Sequence, residues 1–397
     1  MTDWIKNPSV FLVTEIRWVI LLFNKGVPRI VMRQAPSYFP VNLLILKVNQ
    51  LGDNVIFLPI VQTLRRLVPD WKMTVFTSPV AAALYQADLP PDQIVAIPTA
   101  EFNKAWKQPW KMLPYLQAVR RVRVDATLVA NDQGNVAFLL ALLLGGKVRV
   151  GEIRSYIKVK GALTHAVTIP SGTPAGQANW LLAGKLCESF GIKGWPEKVS
   201  PPNLEHLSGP MCRIQGRIIV HAGASRAYKR WFPDRFVALA NRLAKDHEVI
   251  WVNQEWAEEA ALNPEIKRVT TTTLESFLQL LATANLLVGN NSGPMNLAAA
   301  LGCPVVVING PSHGVWDPIW YRERNLILRD TSLPCLPCDS ENHSVEHCLN
   351  RENPMACMKA WPVDTLEAHC REWLAAWPVE KLNESQRDGR QAVSPCP

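Results

Sequence analysis

Near its start the chain lacks the run of about 20 mostly apolar residues that a bilayer-spanning helix needs. The longest early apolar run, residues 10–23, is broken by Glu15 and Arg17. No small-residue cleavage site of the A-x-A type follows it, so a secretory leader is not expected. Charged residues are scarce, at 19 % against 48 % hydrophobic, which excludes a disordered chain. No repeat of solenoid period occurs. No nucleic-acid-binding module is recognisable, and the positive charge is dispersed rather than striped, so nucleic acid is not an expected partner. Four of the nine cysteines crowd into one short stretch, which argues against a disulfide framework and for a cytoplasmic protein.

What is present points to two domains. A length of 397 residues exceeds one ordinary core and suits two units of roughly 150–200 residues. The net charge of +8 favours anionic partners. Nothing in the sequence explains the 15 tryptophans. Residues 1–40 form a basic arm in which Lys6, Arg17, Lys25, Arg29 and Arg33 are interleaved with Trp4, Phe11, Trp18 and Phe23. A cationic amphipathic helix on a membrane surface and a helix packed on its own domain or on a sister subunit both fit this pattern.

After Pro40 apolar runs alternate with helical stretches. Residues 41–48 read as a strand buried on both faces. The turn Asn49-Gln50-Leu51-Gly52-Asp53 follows, and then a helix to about residue 67. Further strands are expected at 73–77, 94–97, 126–130 and 148–150. Pro196, Pro201, Pro202 and Pro210 mark a linker at 196–216. The alternation then restarts, with strands at 218–220, 249–253, 286–289 and 305–308. Helices are expected at 235–243, 274–284 and 294–301, the second opened by a capping box from Thr272 to Glu275. Such alternation predicts α/β architecture with parallel, doubly wound sheets. The chain divides into the arm (1–40), a first domain (41–195), the linker (196–216), a second domain (217–362) with a cysteine-rich loop (335–357), and a C-terminal helix with a polar tail (363–397). Two such units place a ligand cleft at the carboxyl ends of their strands.

Three strand-end loops carry chemistry. In the first, Gly52 permits a tight turn or a positive φ, and Asp53 stands where a helix begins. In the second, His221-Ala222-Gly223-Ala224-Ser225 opens into small residues, and Lys229-Arg230 precede a helix start marked by Pro233-Asp234. Small residues, cations and a helix N-terminus together suit a diphosphate. In the third, Gly289-Asn290-Asn291-Ser292-Gly293-Pro294 ends a strand; Ser292 can cap the next helix, and its free N–H groups attract anions. Taken singly, each loop also fits a plainer role as a helix cap or a solvated turn.

Taken together, the three loops resemble glycosyltransferase family 9, the heptosyltransferases of lipopolysaccharide assembly. The matching segments are Leu51-Gly52-Asp53 with Pro59, His221 to Ser225 with Lys229 to Pro233, and Gly289 to Gly302 continued by Val305 to Pro311. The resemblance covers roughly residues 41–375. It implies a GT-B fold, with two doubly wound Rossmann-like domains facing a central cleft. The acceptor side is then 41–195 and the nucleotide-sugar side 217–362. It further implies Asp53 as general base and Lys229 as the cation on the diphosphate. Gly52, Ser225, Asn291, Ser292, Gly293 and Asn296 would lie around the donor, and Glu258 stands where the family places a ribose-binding acid. The donor is an ADP-linked heptose or related sugar, with no organic cofactor. Family members carry Asp at the position of Asn291, His at that of Asn296, and small Ser residues at those of Asn49 and Gln50.

The spacing Cys335-x2-Cys338-x9-Cys348-x8-Cys357 fits one tetrahedral metal, zinc or iron, although two disulfides or free thiols also satisfy it. His343 and His347 lie within the loop as alternative ligands. A four-cysteine iron finger occurs in the family's protein-modifying branch, the autotransporter heptosyltransferases, which this spacing resembles. Cys187, Cys212, Cys303, Cys370 and Cys396 are scattered and read as structural. Three functions fit these residues. The first is heptose transfer to the anionic lipopolysaccharide core, with Arg65, Arg66, Arg120, Arg121 and Arg123 suited to a glycolipid. The others are heptose transfer to a protein hydroxyl, and a degenerate member that binds nucleotide without turnover. The expected location is cytoplasmic, including the periphery of the inner membrane's inner face.

Overall fold

The computed structural model describes residues 40–120, 123–252, 257–339 and 347–387. The basic arm, Arg121, His343 and the end of the polar tail lie outside the described residues.

Two six-stranded sheets form the frame, and every pairing in them is parallel. The first holds β1 (Asn42–Leu46), β2 (Lys72–Thr77), β3 (Ile94–Ala96), β4 (Ala126–Val129), β5 (Val148–Glu152) and β6 (His165–Val167) in the order β3-β2-β1-β4-β5-β6. The second holds β7 (Arg217–His221), β8 (Glu248–Val252), β9 (Lys267–Val269), β10 (Leu286–Asn290), β11 (Val305–Ile308) and β12 (Asn325–Leu328) in the order β12-β11-β10-β7-β8-β9. Both orders are those of a Rossmann-like doubly wound sheet. The winding reverses between β1 and β4 and again between β7 and β10, and such switch points open a crevice at the strands' carboxyl ends. The central strands read as expected because they are buried on both faces. β6, β9 and β12 escaped the sequence reading: each sits at or next to a sheet edge, is short, and keeps partly exposed residues instead of an apolar run.

The helices that position the site are α1 (Leu51–Leu67), α2 (Asn135–Leu144), α3 (Ala175–Ser189), α4 (Pro233–Leu243), α5 (Leu274–Ala282) and α6 (Gly293–Ala300). Behind them α7 (Val363–Ala376) and α8 (Val379–Arg387) close the chain. The capping box of α5 lies one residue later than the sequence suggested. Thr273 accepts from the Ser276 N–H at 3.1 Å, and Ser276 Oγ accepts in return from the Thr273 N–H at 3.3 Å. The expected linker is not irregular throughout. It includes a helical turn at Glu205–Ser208, and its end is bonded to the second domain, with Ile214 N donating to Thr283 O at 2.9 Å.

The domains share apolar contacts. One buried cluster runs from Ile56 and Ile60 of α1 and Trp180 of α3 to Met295 and Leu297 of α6. Ile319, from beyond β11, seats on Gly176 so closely that a Cβ there would lie 2.6 Å from its Cδ1 and 3.1 Å from Ile56 Cγ2.

Gly289 is the tightest backbone approach in the second sheet. A Cβ on it would lie 2.6 Å from the His221 carbonyl oxygen of neighbouring β7. Because that neighbour is backbone, relief requires strand movement. Gly289→Ala is therefore expected to destabilise the protein by about 1–3 kcal/mol. Calorimetry should show this as a Tm fall of roughly 2–4 °C per kcal/mol.

Candidate active site between two helix N-termini

The first wall of the site is the turn after β1. Gly52 does not have a positive φ; it lies inside α1, which begins at Leu51. Asp53 is consequently a first-turn residue rather than the cap. The turn is held by Asn54, fully buried, whose Nδ2 donates to the carbonyls of Asn49 (3.1 Å) and Gln50 (2.9 Å). Asn54 Oδ1 accepts from Thr77 Oγ1 at 2.9 Å and Tyr85 OH at 2.8 Å. Asn49 is in turn bonded to the side chain of Gln133.

The second wall comes from β7 and β10. Asn290, buried at the end of β10, donates to Ala222 O at 2.6 Å and accepts from the Trp231 N–H at 2.8 Å. It thereby ties the small-residue loop and the Lys229–Trp231 segment to one strand end. Arg230 Nε donates to Ala224 O at 2.8 Å and fixes the loop from the other side. Ser292 occupies the N-cap position of α6 but does not cap it: its Oγ donates to Asn290 O at 3.1 Å. The first N–H groups of α6 thus donate no bond to that hydroxyl.

The two walls meet helix end to helix end. A Cβ on Gly52 would lie 3.0 Å from Asn296 Nδ2 and 3.2 Å from Gly293 Cα, and one on Gly293 would lie 3.4 Å from Gly52 N. The approach is tight at Gly52, where a Cβ would crowd Asn296 and the Gly293 backbone, whereas one on Gly293 would make ordinary contacts. Beside it lies a cavity of about 710 Å³ lined by both domains, including Gly52, Ser225, Ser292 and Gly293. His221, Arg230, Thr271 to Leu274 and Phe277 complete much of its wall. Asn296 is buried just behind; its Oδ1 and the Nδ2 of Asn291 find no hydrogen-bond partner among the described residues. Glu258 lies apart, exposed on the turn Ala257–Ala261 and outside the cavity lining.

Charge converges on the same point. Burial pushes the Asp53 carboxyl above its ordinary range; Lys47 pulls it back down, Asp132 adds to the rise, and Lys229 and the Gln50 N–H lower it. Lys47, directly after β1 in the apolar run 41–48, is 1 % exposed. Burial lowers its ammonium below the ordinary range against the opposing pull of Asp53 and Asp132. Asp132 is held at φ 63°, a left-handed conformation uncommon outside glycine. It pairs with Arg154 Nη1 at 3.2 Å and accepts from Trp316 Nε1 of the second domain at 3.2 Å. Arg154 also binds Glu152 at 3.0 Å. His221 is driven down to about 4 by burial, so its ring is neutral near pH 7. Lys229 is ion-paired with Asp339, a partner that no local pattern marks.

The four cysteines of the loop are neighbours. The Cys357 thiol is pushed up to about 12 by burial, then by Cys338, Cys348 and Cys335. Cys357 Sγ would lie 2.6 Å from a Cβ on Gly310, so the loop packs directly on the end of β11. As placed, however, no group of three or more His, Cys, Asp or Glu side chains among the described residues could hold a metal. His347 is exposed. Cys187, Cys303 and Cys370 are buried and unpaired, as expected of structural cysteines.

Two Rossmann-like domains, joined at the N-terminal ends of helices that follow their central strands, define a GT-B protein with an anion-suited interdomain cleft. Residues 112–349, more than half of the chain, match the profile of glycosyltransferase family 9 (heptosyltransferase), and the chain belongs to that family. It is 26 % identical over 182 residues to lipooligosaccharide heptosyltransferase 2 of Campylobacter jejuni, a match covering 42 % of this chain and 57 % of the relative. Lipopolysaccharide heptosyltransferase 3 of Escherichia coli is 24 % identical over 292 residues, covering 67 % of this chain and 83 % of that protein. The E. coli heptosyltransferase WaaC with ADP has a similar fold, with a TM-score of 0.60, 16 % identity, and coverage of 85 % and 99 % of the two chains. So does the iron-containing dodecameric glycosyltransferase TibC of enterotoxigenic E. coli, with a TM-score of 0.53, 14 % identity, and coverage of 89 % and 81 %.

The raised Asp53 carboxyl has a consequence for stability. A carboxyl whose folded pKa exceeds its unfolded one binds more protons in the native state. Stability is then greatest at low pH and falls as pH rises through the unfolded and then the folded pKa. Asp53→Asn, which mimics the neutral form, should raise the Tm at pH 7. The gain over the native protein should shrink steadily as the pH is lowered toward 4. Thermal melts across that range check both the sign and the trend.

Proposed function

We propose that this protein transfers a heptose from an ADP-linked donor to an acceptor hydroxyl of an anionic glycolipid, the lipopolysaccharide core. The observation that carries the reading is the junction of Gly52 and Gly293. Asp53 follows Gly52 in the first turn of α1, Lys229 acts on its carboxyl electrostatically, and the cavity beside the junction is lined by both domains. The reaction forms a bond between the acceptor oxygen and the anomeric carbon and breaks the bond from that carbon to the diphosphate. ADP departs with the electron pair. Charge grows on the leaving oxygens, where the α6 N–H groups and Lys229 stabilise it. Asp53 takes the proton of the attacking hydroxyl, and a pKa raised by burial strengthens it as a base. Support also comes from the relatives, which are named as lipooligosaccharide and lipopolysaccharide heptosyltransferases.

Transfer to a protein hydroxyl is the second reading. The crowding of Cys335, Cys338, Cys348 and Cys357 and the likeness in fold to iron-containing TibC favour it. In this reading the four thiolates close on one metal, iron or zinc, which acts structurally. Ser substitution at any of the four should then release about one metal per chain and lower the Tm, because ligand binding contributes folding free energy. Elemental analysis of purified protein decides: metal-free protein of unchanged stability removes the metal and this argument for a protein acceptor.

The activity itself is tested by incubating the protein with ADP-heptose and either heptose-deficient lipopolysaccharide or an acceptor protein, with products read by mass spectrometry. Asp53→Asn should cut turnover by roughly 10²–10⁴-fold while ADP affinity stays nearly unchanged. Lys229→Ala should weaken both. Near-full turnover by Asp53→Asn would remove it as the base.

A further inference from the structure

Lys229 does not stand free at the donor wall. Its ammonium is ion-paired with Asp339, and the two side chains are only 18 % and 9 % exposed. Asp339 follows Cys338 directly, so the carboxylate is delivered by the cysteine loop. Its place does not depend on the ion pair. Its N–H donates to Pro311 O at 3.1 Å, its carbonyl accepts from the His313 N–H at 2.9 Å, and it bridges in parallel with Ser312. On the lysine's side, Tyr228 is buried against Cys338, which fixes the backbone next to Lys229. The counter-ion is thus held by its own backbone bonds, and the segment bearing the cation packs on the residue beside it.

We propose that Asp339 is the resting counter-ion of Lys229 and competes with the donor's diphosphate for it. It thereby weakens nucleoside diphosphate binding and speeds its departure after transfer. The inference rests on the reading of Lys229 as the diphosphate cation. Taking a largely buried ammonium out of water is costly unless an opposite charge accompanies it. Without ligand, Asp339 supplies that charge. An entering diphosphate therefore meets a cation already neutralised and must share it. When the product leaves, the carboxylate is in place to take the ammonium back, so departure does not strand a buried charge. Asp339 acts only through Lys229 and is a positioning residue.

The test is a double-mutant cycle on the full chain, with ADP as probe, measured by calorimetry for affinity and stopped flow for dissociation. Asp339→Asn should tighten ADP binding about tenfold and slow its dissociation, since a fixed negative charge near the anion is removed. In a Lys229→Met background the same substitution should change neither. If Asp339→Asn fails to fold, Asp339→Ser, which keeps the backbone pairing, carries the same expectation. Unchanged or weaker ADP binding by a folded Asp339 variant overturns the proposal, as does a gain that persists without Lys229. If Lys229→Met alone leaves ADP affinity unaltered, the diphosphate reading of Lys229 fails and this inference falls with it. If Lys229→Met weakens binding but Asp339→Asn does not tighten it, only the counter-ion role is lost.

Discussion

The approach of Gly52 to Gly293 is the constraint on which the rest of the site depends. Two helices, one from each domain, point their N-termini at the same place, and each end carries roughly half a positive charge. Like charges so close repel unless something negative lies near. Asp53 stands in the first turn of α1, Asp132 acts on it from the end of β4, and Asp339 holds Lys229 on the opposite wall. The resting cleft is therefore balanced by protein carboxylates. A side chain at Gly52 would press on Asn296 and the Gly293 backbone, beside the cavity that both domains line.

Asp53 shows how the balance is weighted. Its position near a helix N-terminus, the Gln50 N–H, Lys47 and Lys229 all favour the ionised form, yet burial outweighs them and raises its pKa. Lys47 undergoes the mirror-image shift for the same reason. The half-buried carboxyl and the buried ammonium are each pushed toward neutrality, and each opposes the other's shift. The raised carboxyl pKa suits a general base. The cluster is also linked to the second domain, through the Trp316 bond to Asp132.

How much of this was legible in the sequence follows from what each feature needs. β1, β10 and β11 were readable because a parallel strand buried on both faces must be apolar throughout, whereas β6 and β9 sit at sheet edges and carry no such signature. The glycine loops were readable because their residues are contiguous, and they recur in the same order along the chain as in family 9. Lys47 was not, since one cation in an apolar run leaves the strand pattern intact. Asp132 and Asp339 were invisible for a different reason: the groups they serve lie far from them in sequence, and no local pattern marks a partner. Ser292 was misread as a cap because residue type alone cannot say which way a hydroxyl donates, and here Asn290 O claims it.

Asn291 and Asn296 draw these strands together. The family resemblance places Asp and His at these positions, so the amides remove one formal negative charge and one titratable group from the α6 side. Neither amide is fully paired: Asn291 Nδ2 and Asn296 Oδ1 are buried without partners among the described residues. A buried polar atom left unpaired costs about 1–3 kcal/mol, and a ligand that pairs it recovers that free energy. Because Asn296 Nδ2 lies 3.0 Å from where a Gly52 Cβ would stand, this amide also presses on the glycine junction itself. In the proposed reading, the diphosphate's electrostatics then rest on the cations of this segment, Arg230 at the cavity and Lys229 with its partner Asp339. The cysteine loop thereby reaches Lys229 whether or not it holds a metal, because its backbone carries Asp339 to the ion pair.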